Sequence, residues 1–387
     1  MLQRLFIFLL IFLILPDIYL YLRFIVHLTA KRWLRILYWL PAFLLSSGLL
    51  YLVYFSNNAF AERHTQAIGW FSIFFFLFTA PKLLLSLCTI IGVPFHKWLR
   101  WPRTPFICTG LTLAVISIVM IIYGSFIGRT QFDVKEVTYS SPKLPSAFDG
   151  YRIVQLSDIH IGSWQGNTSA IQKLVKLVNE QQADLIVFTG DLVNHRAVEL
   201  NDFQDILSGL KAKDGVYSIL GNHDYGPYFR WKSQQEQDDN LNDLLQQAAM
   251  GWKLLNNSHT ILIQGSDSIA LIGVENEGEP PFSQYADLPE AMRGTEGMFQ
   301  ILLSHNPTHW RREVLPQTDI DLMLAGHTHA MQLKFGNHSP SSYIYPEWSG
   351  MYLEGTRGLY VNEGIGHVGL PFRFGAWPEI TVLTLRR

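Results

Sequence analysis

Side chains that can bind a divalent metal ion recur in five short groups between residues 158 and 329 of this 387-residue chain. The groups offer carboxylate, imidazole and amide atoms but no thiolate, because both cysteines, Cys88 and Cys108, lie elsewhere. Such oxygen and nitrogen ligands suit Mn, Fe or Zn. The groups are Asp158-x-His160, Gly190-Asp191, Gly221-Asn222-His223-Asp224, His305 and Gly326-His327-x-His329. One such group would be weak evidence, but five in succession predict a metal centre.

Carboxylate, imidazole and amide ligands without thiolate suit two divalent ions. Asp191, in the middle of the order, is the natural bridge, since an aspartate can bind two ions through its two oxygens. Two ions about 3.5–4 Å apart can share a hydroxide and hold both the attacking and the leaving oxygen of a phosphorus centre. With Thr328 in extended backbone, the side chains of His327 and His329 would diverge, so that each could serve a different ion.

Alternating strands and helices must position these groups. Apolar runs that precede the ligands predict buried strands, and apolar residues at three- and four-residue spacing predict amphipathic helices. Strand–helix–strand repetition gives a largely parallel sheet, so ligands at successive strand ends converge at its carboxyl edge. The predicted strands are 151–158, 183–191, 214–224, 299–305, 321–327, 357–364 and 379–385, with a hairpin over 259–275 and helices at 168–182, 199–212 and 236–250.

Composition divides the chain into two unlike parts. Residues 1–128 hold ten Lys and Arg but only two acids, a net charge of +8, whereas residues 129–387 carry a net charge of −10. The acidic part has no basic stripe, which argues against a nucleic-acid partner. We predict a transmembrane region over 1–128, a linker over 129–149 that contains Pro142 and Pro145, and an α/β domain over 150–387.

Four apolar stretches within the first part are long enough to cross a hydrocarbon core of about 30 Å. They are roughly 2–26, 33–55, 67–92 and 105–128. The first begins like a signal peptide, but no small-x-small cleavage site follows, which favours a retained span. Asp17 follows Pro16 within it and predicts a kink or an early exit from the membrane, whereas Lys82 is expected to extend toward the interface.

Basic residues predict the orientation of these spans. They cluster between the first and second spans and between the third and fourth, and only Arg4, Arg63, Arg129 and Lys135 lie on the other side. The positive-inside rule places the clusters in the cytoplasm and the α/β domain outside it. The clustered residues are Lys31, Arg32, Arg35, Lys97, Arg100 and Arg103.

The five ligand groups, in this order over residues 151–385, resemble the sequence blocks of the calcineurin-like metallophosphoesterase superfamily. The chain is most similar to the membrane-tethered bacterial branch of that superfamily. The resemblance implies a four-layer αββα sandwich, here preceded by about four transmembrane helices. It also implies that His223 is catalytic, protonating the leaving oxygen or stabilising charge in the transition state. The implied ligands are Asp158, His160, Asp191 and His329 for the first metal ion, and Asp191, Asn222, His305 and His327 for the second.

The expected function is therefore that of a membrane-anchored phosphoesterase with two divalent ions. It would cleave a phosphodiester or pyrophosphate bond by attack of a metal-bridging hydroxide, with membrane lipids as partners and a lipid or lipid-linked substrate. A narrower alternative is hydrolysis of UDP-2,3-diacylglucosamine in lipid A synthesis. Two others are a sensor or transporter regulated by the phosphoesterase domain, and a metal-binding domain without turnover.

Three further residues carry hypotheses with alternatives. Arg373 could clamp a substrate phosphate bidentately or pack against Trp377. Asn194 could contact substrate or cap a loop. Asp224, next to His223, could be a ligand or an acid, or it could orient the loop.

Overall fold

The computed structural model describes residues 2–54, 65–245, 250–280 and 282–387. The chain divides into two compact units. One comprises Met1–Phe126 with Gly369–Pro371, and the other comprises Ile127–Val368 with Phe372–Arg387. Phe55, Glu62, Arg63 and the end of the predicted helix 236–250 lie partly or wholly outside the described residues.

Four long apolar helices form the first unit. Each is long and apolar enough to cross a membrane, as predicted. The third is longer than expected, since its candidate span covers Gln66–Leu99 instead of 67–92. The helices are α1 (Leu2–Leu20), which continues through a π-helical turn at Tyr21–Ile25 to Leu28, α2 (Arg32–Tyr54), α3 (Thr65–Leu99) and α4 (Thr104–Phe126).

Asp17 does not end the first span, so the prediction of an early exit was wrong. Helix α1 continues through Pro16 and Asp17, and the Asp17 side chain is fully buried. Its carboxylate accepts hydrogen bonds from Lys82 Nζ at 2.7 Å and from Tyr38 Oη at 2.9 Å. Lys82 therefore pairs with Asp17 instead of extending to the interface. The pairing and the hydrogen bonds offset the cost of removing both charges from water.

Two six-stranded mixed sheets form the centre of the second unit. The first has the strand order β1-β12-β2-β3-β4-β5, and the second has the order β10-β11-β9-β8-β7-β6. The strands are β1 (Asp133–Ser140), β2 (Arg152–Leu156), β3 (Leu185–Phe188), β4 (Val216–Ser218), β5 (Trp252–Leu254), β6 (Ser258–Gln264), β7 (Asp267–Gly273), β8 (Phe299–Leu303), β9 (Leu322–Ala325), β10 (Gly350–Glu354), β11 (Arg357–Val361) and β12 (Glu379–Arg386). Strands β2 to β5 run parallel, as do β7, β8, β9 and β11.

The sheets pack face to face between helices, which confirms the four-layer αββα sandwich. Leu185 and Val187 of β3 enter the core between the sheets, whereas Ile186 and Phe188 enter the core under helix α5. Both faces of β3 are therefore apolar, as expected for a parallel strand covered on both sides. The helices are α5 (Thr168–Glu180), α6 (Gln204–Leu207), α7 (Gln234–Leu245) and α8 (Leu288–Met292), and a π-helical turn at Trp310–Val314 packs with α8 on the outer face of the second sheet.

Two predicted segments differ in the structure. The predicted linker 129–149 contains strand β1, which pairs in parallel with β12 over its whole length from Asp133 to Ser140. This pairing joins residues far apart in the chain, so local composition could not reveal it. The predicted helix 199–212 is reduced to a 3-10 turn at Ala197–Leu200 and one α-helical turn, α6.

Candidate metal centre

The ligand candidates lie just beyond the carboxyl ends of five strands, three from one sheet and two from the other. Asp158, Asp191 and Asn222 follow β2, β3 and β4, and His305 and His327 follow β8 and β9. Backbone hydrogen bonds tie neighbouring strand ends together, from Asp158 N to Gly190 O at 2.9 Å and from Gly326 N to His305 O at 2.9 Å. The polar residues beyond the strand ends of both sheets therefore lie close together.

The side chains form two groups that can each hold a metal ion. Asp158, His160 and His329 make one group, and Asp191, His305 and His327 make the other. A third set, His160, Asp191 and His223, shares one residue with each of these groups. His160 Nε2 and His329 Nε2 are 3.1 Å apart in the first group. His327 Nδ1 and His305 Nε2 are 3.3 Å apart in the second. Ligand nitrogens thus converge on two separate positions, each with a carboxylate beside them.

Asp191 faces both groups with the same oxygen. Its Oδ2 lies 3.6 Å from His160 Nε2 and 3.3 Å from His305 Nε2. Its Oδ1 instead accepts a hydrogen bond from the backbone N–H of His223 at 2.8 Å. Oδ2 is therefore the oxygen that faces both groups, whereas the sequence reasoning expected the two oxygens to serve one ion each.

Five of the seven predicted ligands have left-handed backbone. Their φ angles are +51° at Asp158, +45° at His160, +60° at Asp191, +71° at His327 and +50° at His329. Such a conformation costs about 1–3 kcal/mol at a residue other than glycine and tends to occur at functional sites. The strand-end turns therefore hold these side chains in place against local backbone preference.

The His327-Thr328-His329 backbone differs from the extended form that we predicted. Thr328 has φ −77° and ψ −26°, which is right-handed helical, and both neighbouring histidines have positive φ. The two side chains nevertheless join different groups, since His329 Nε2 is 3.2 Å from Asp158 Oδ1 and His327 contacts His305. The turn therefore directs the two side chains to different groups by reversing the chain, whereas an extended segment would do so because successive side chains point to opposite faces.

The charges within the site suit metal binding. Burial lowers the pKa of His160 far below its usual value and that of His327 to about 3, so both imidazoles are neutral, the form that binds metal. Burial also opposes ionisation of Asp158 and Asp191, but the neighbouring histidines outweigh it and lower the pKa of both carboxyls. Burial lowers the pKa of His305, yet Asp191 and Asp158 raise it overall to about 9. A metal ion at this position would displace that proton.

Unpaired buried atoms show that the residues fit two ions. Asp158 Oδ1 and Asn222 Oδ1 are buried and accept no hydrogen bond from the residues that the structure describes. Buried polar atoms are nearly always paired, so carboxylate and amide oxygens without a hydrogen-bond partner, beside converging imidazoles, fit the binding of a cation. The site therefore suits two metal ions, whose identity the ligands leave open among Mn, Fe and Zn.

His223 lies beside His160 and Asp191, with its ring fixed by a backbone carbonyl. Its Nδ1 is 2.7 Å from Asn194 O, so its other nitrogen remains available to the site. The Asn194 side-chain amide donates to Ser163 Oγ at 3.0 Å, so the described contacts give Asn194 a positioning role through its carbonyl. Its role in substrate contact stays a prediction.

Asp224 orients the loops around the site. Its two carboxylate oxygens accept four backbone N–H bonds, from Asp191, Leu192, Val193 and Gly221, at 2.8–3.1 Å. These bonds tie the loop after β3 to the loop after β4. The structural alternative is therefore favoured over a role for Asp224 as ligand or acid.

Arg373 cannot clamp a substrate phosphate, and that prediction was wrong. Its side chain is fully buried and donates to the carbonyls of Gly366, Glu363 and Ala376 at 2.6–3.0 Å. Its Nη2 lies 3.0 Å from His329 Nδ1. All three guanidinium nitrogens therefore have partners inside the protein, because the loop that carries Arg373 folds beneath the predicted ligands.

Sequence reasoning missed the partners of the ligand side chains. Ser157 Oγ donates to Asp158 Oδ2 at 2.5 Å, Tyr228 Oη accepts from Asn222 Nδ2 at 3.0 Å, and Tyr345 Oη lies 3.1 Å from His327 Nε2. Ser157 stands beside a ligand and could have been noticed. Neither tyrosine belongs to a ligand group, so only the folded chain reveals them.

Comparison with known proteins agrees with this geometry. The family model for calcineurin-like phosphoesterases matches residues 151–331. A Bacillus subtilis protein, "Uncharacterized metallophosphoesterase YkuE", is 31% identical over 283 residues, which cover 68% of this chain and 89% of that protein. The chain belongs to the calcineurin-like phosphoesterase family, and this places it among the phosphoester hydrolases.

The region of the membrane helices matches a family model of its own. A second family model, "Probable Calcineurin-like phosphoesterase, transmembrane domain", matches residues 3–129, so the chain is a membrane member of the family. The Danio rerio "Transmembrane protein with metallophosphoesterase domain" is 32% identical over 283 residues, 70% of this chain and 62% of that protein's length. A crystal structure of a dimetal phosphatase from Danio rerio aligns with a TM-score of 0.33 at 13% identity, over 56% of this chain and 88% of that one.

Proposed function

We propose that this protein uses two divalent metal ions to hydrolyse a phosphodiester or pyrophosphate bond in a lipid or lipid-linked substrate. The observation that carries the proposal is the position of Asp191 Oδ2, which faces the histidines of both ligand groups at 3.3–3.6 Å. His223 adjoins the same carboxylate through its backbone N–H. The site thus combines a shared anionic ligand with a neighbouring proton donor.

Each predicted ligand has a defined place in the proposal. Two bound ions would supply positive charge at the phosphoryl oxygens and a hydroxide for attack on phosphorus. The chain itself supplies a rigid frame, since backbone and side-chain hydrogen bonds fix the strand ends. Asp158, His160, Asp191 and His329 would hold the ion at the first position, and Asp191, Asn222, His305 and His327 would hold the ion at the second.

His223 would act on the leaving group. Its Nδ1–H donates to Asn194 O, so a proton on Nε2 would point away from that carbonyl. The ring centroid lies 4.7 Å from that of His160, close to the first position. Diester and pyrophosphate oxygens leave more readily when protonated, and a positioned imidazole contributes about 10²–10⁴-fold to such steps.

Exposed apolar side chains in the segment that follows His327 and His329 support a lipid-borne substrate. The segment between β9 and β10 begins with His327 and His329 and then exposes Phe335, Tyr343 and Ile344, with 92% of Tyr343 accessible. Neighbouring exposed apolar residues, here Tyr343 and Ile344, are typical of surfaces that contact lipid or protein. The four candidate spans keep the chain at a bilayer, where acyl chains are the nearest apolar partner.

Hydrolysis of a soluble diester tests the chemistry. The full-length protein in detergent with added Mn²⁺ is expected to hydrolyse bis-p-nitrophenyl phosphate. Asp191→Asn should abolish activity, and His223→Ala should lower kcat by about 10²–10⁴-fold. Asp319→Asn and His338→Ala make the same chemical changes at exposed positions and should retain activity. Full activity in Asp191→Asn, or none in a parent protein that binds two ions, would refute the proposal.

Hydrolysis of lipid-borne esters tests the substrate class. The protein in nanodiscs would be offered a phospholipid diester, a diacyl-sugar nucleotide pyrophosphate and their water-soluble head groups. Replacing Tyr343 and Ile344 by serine should lower the rate on the lipid-borne forms and leave the rate on bis-p-nitrophenyl phosphate unchanged. Activity on soluble diesters together with none on any lipid-borne phosphate would show that the lipid part of the proposal is wrong.

A further inference from the structure

Two tyrosine hydroxyls contact two of the four predicted ligands at the second metal position. Tyr228 Oη accepts a hydrogen bond from Asn222 Nδ2 at 3.0 Å. Tyr345 Oη lies 3.1 Å from His327 Nε2. The tyrosines are 117 positions apart in the sequence and come from different sheets' loops, yet both lie beside the same position.

The contact with Tyr228 orients the Asn222 amide. An amide group places its oxygen and its nitrogen on opposite sides, so holding Nδ2 against the phenol directs Oδ1 away from it. That oxygen is buried and has no hydrogen-bond partner among the described residues. It is therefore the atom free to bind a cation. The Tyr228 ring also packs against His223, with ring centroids 4.4 Å apart.

The contact with Tyr345 orients the His327 ring. Nδ1 faces the ligand group, 3.3 Å from His305 Nε2, and Nε2 faces the phenol. If Nε2–H donates to Tyr345 Oη, Nδ1 keeps its lone pair for a metal ion. Hydrogen bonds of this kind fix the orientation of a metal-binding histidine and raise its basicity.

The first metal position is supported differently. Ser157 donates to Asp158, and Arg373 contacts His329, and both supporting side chains are fully buried. At the second position Tyr228 is 51% exposed and Tyr345 is half-buried. Water can therefore compete for the hydroxyl contacts at the second position but not for those at the first.

We propose that Tyr228 and Tyr345 are positioning residues whose hydroxyls strengthen the second metal position, and that this position, supported by partly exposed side chains, is the weaker of the two. The inference rests on the proposed function, since it requires a site that holds two ions. It assigns the tyrosines no contact with the reacting atoms. Their effect passes through Asn222 and His327.

Titration of the metal-free full-length protein with Mn²⁺ tests this inference. Calorimetry gives two affinities, and electron paramagnetic resonance distinguishes an isolated Mn²⁺ from a spin-coupled pair. Tyr228→Phe and Tyr345→Phe keep the rings and remove only the hydroxyls. Each should weaken the second equivalent by about 10–100-fold and leave the first unchanged, because loss of such an outer partner costs that much metal affinity. Activity should return at high Mn²⁺ concentration.

Tyr343→Phe is the matched control, since Tyr343 lies two residues from Tyr345 and is 92% exposed. Unchanged affinities in both test variants would overturn the inference. Equal weakening of both equivalents would overturn it as well, because it would show a general loosening of the site. A parent protein that binds fewer than two ions would refute the proposed two-metal function itself, which is a distinguishable result.

Discussion

A single added methyl group at Gly221 should disable both metal positions at once. Gly221 follows β4 and packs against the Asp191 backbone and carboxylate. A Cβ atom there would lie 2.6 Å from Asp191 N and 2.8 Å from Asp191 Cγ, and closer still to Oδ1. Gly221 does not have a positive φ, so alanine adds no backbone strain, and the effect of Gly221→Ala is steric.

The size of the effect follows from these distances. Ordinary van der Waals contact begins at 3.4 Å, so Asp191 Cγ must retreat by about 0.6 Å from its present 2.8 Å, and Oδ1 by more. Asp191 Oδ2 lies within 3.6 Å of histidines in both groups, so the movement disturbs both positions. Misplacement of about 1 Å can cost 10²-fold in rate. We expect kcat/KM to fall by about 100-fold, or roughly 2.7 kcal/mol of transition-state stabilisation.

Metal content and diester hydrolysis, measured on the same folded protein, check this expectation. Gly221→Ala should bind fewer than two Mn²⁺ per chain by mass spectrometry and keep the parent's circular dichroism spectrum. Gly355→Ala is the control, because Gly355 lies at the tip of the β10–β11 hairpin with φ +65° and no atom within 4 Å of an added Cβ. It should lose about 1 kcal/mol of stability and no activity. A Gly221→Ala protein with two ions and full activity would refute the shared role of Asp191.

Three further outcomes are expected. Asp17→Asn leaves Lys82 uncompensated within the helical unit and should lower the free energy of unfolding by about 3 kcal/mol in a detergent denaturation series. Exchanging the two residues should restore part of that loss. Equal stability of Asp17→Asn and the parent protein would contradict this expectation. Arg373→Lys leaves buried carbonyls unpaired and should destabilise the protein by about 3 kcal/mol without changing KM, since Arg373 does not face substrate. A raised KM at unchanged stability would instead show that Arg373 binds a substrate phosphate. A reporter fused after Arg387 should be active outside the cytoplasm if the basic clusters are cytoplasmic, and cytoplasmic activity would reverse the proposed topology.

The fold was largely predictable where its signals are local. Continuous apolar runs followed by polar groups gave β2, β3, β8 and β9, because a buried parallel strand must be apolar on both faces. The strands that sequence reasoning missed, β1, β5 and β10, have burial patterns that are exposed or mixed. Their place in a sheet depends on distant partners, such as β12 for β1.

In the membrane unit too, local features were predictable from the sequence and contacts between distant residues were not. Length and apolarity were enough to predict four spans. Whether Asp17 ends a helix could not be decided locally, since the answer depends on Lys82, 65 positions further along the chain. A charge is tolerated within an apolar helix only when a partner is present, and sequence spacing does not show partners on other helices.

The sequence alone determined which atoms can bind metal and in what order they occur, because ligand chemistry is a property of side-chain type. It also determined that these atoms follow strands, since apolar periodicity is local. Only the tertiary structure decided which oxygen of Asp191 faces both groups, which backbone angles turn His327 and His329 apart, and that Arg373 lies beneath the site. These features depend on packing between two sheets and on hydrogen bonds between residues up to 169 positions apart, as for His160 and His329.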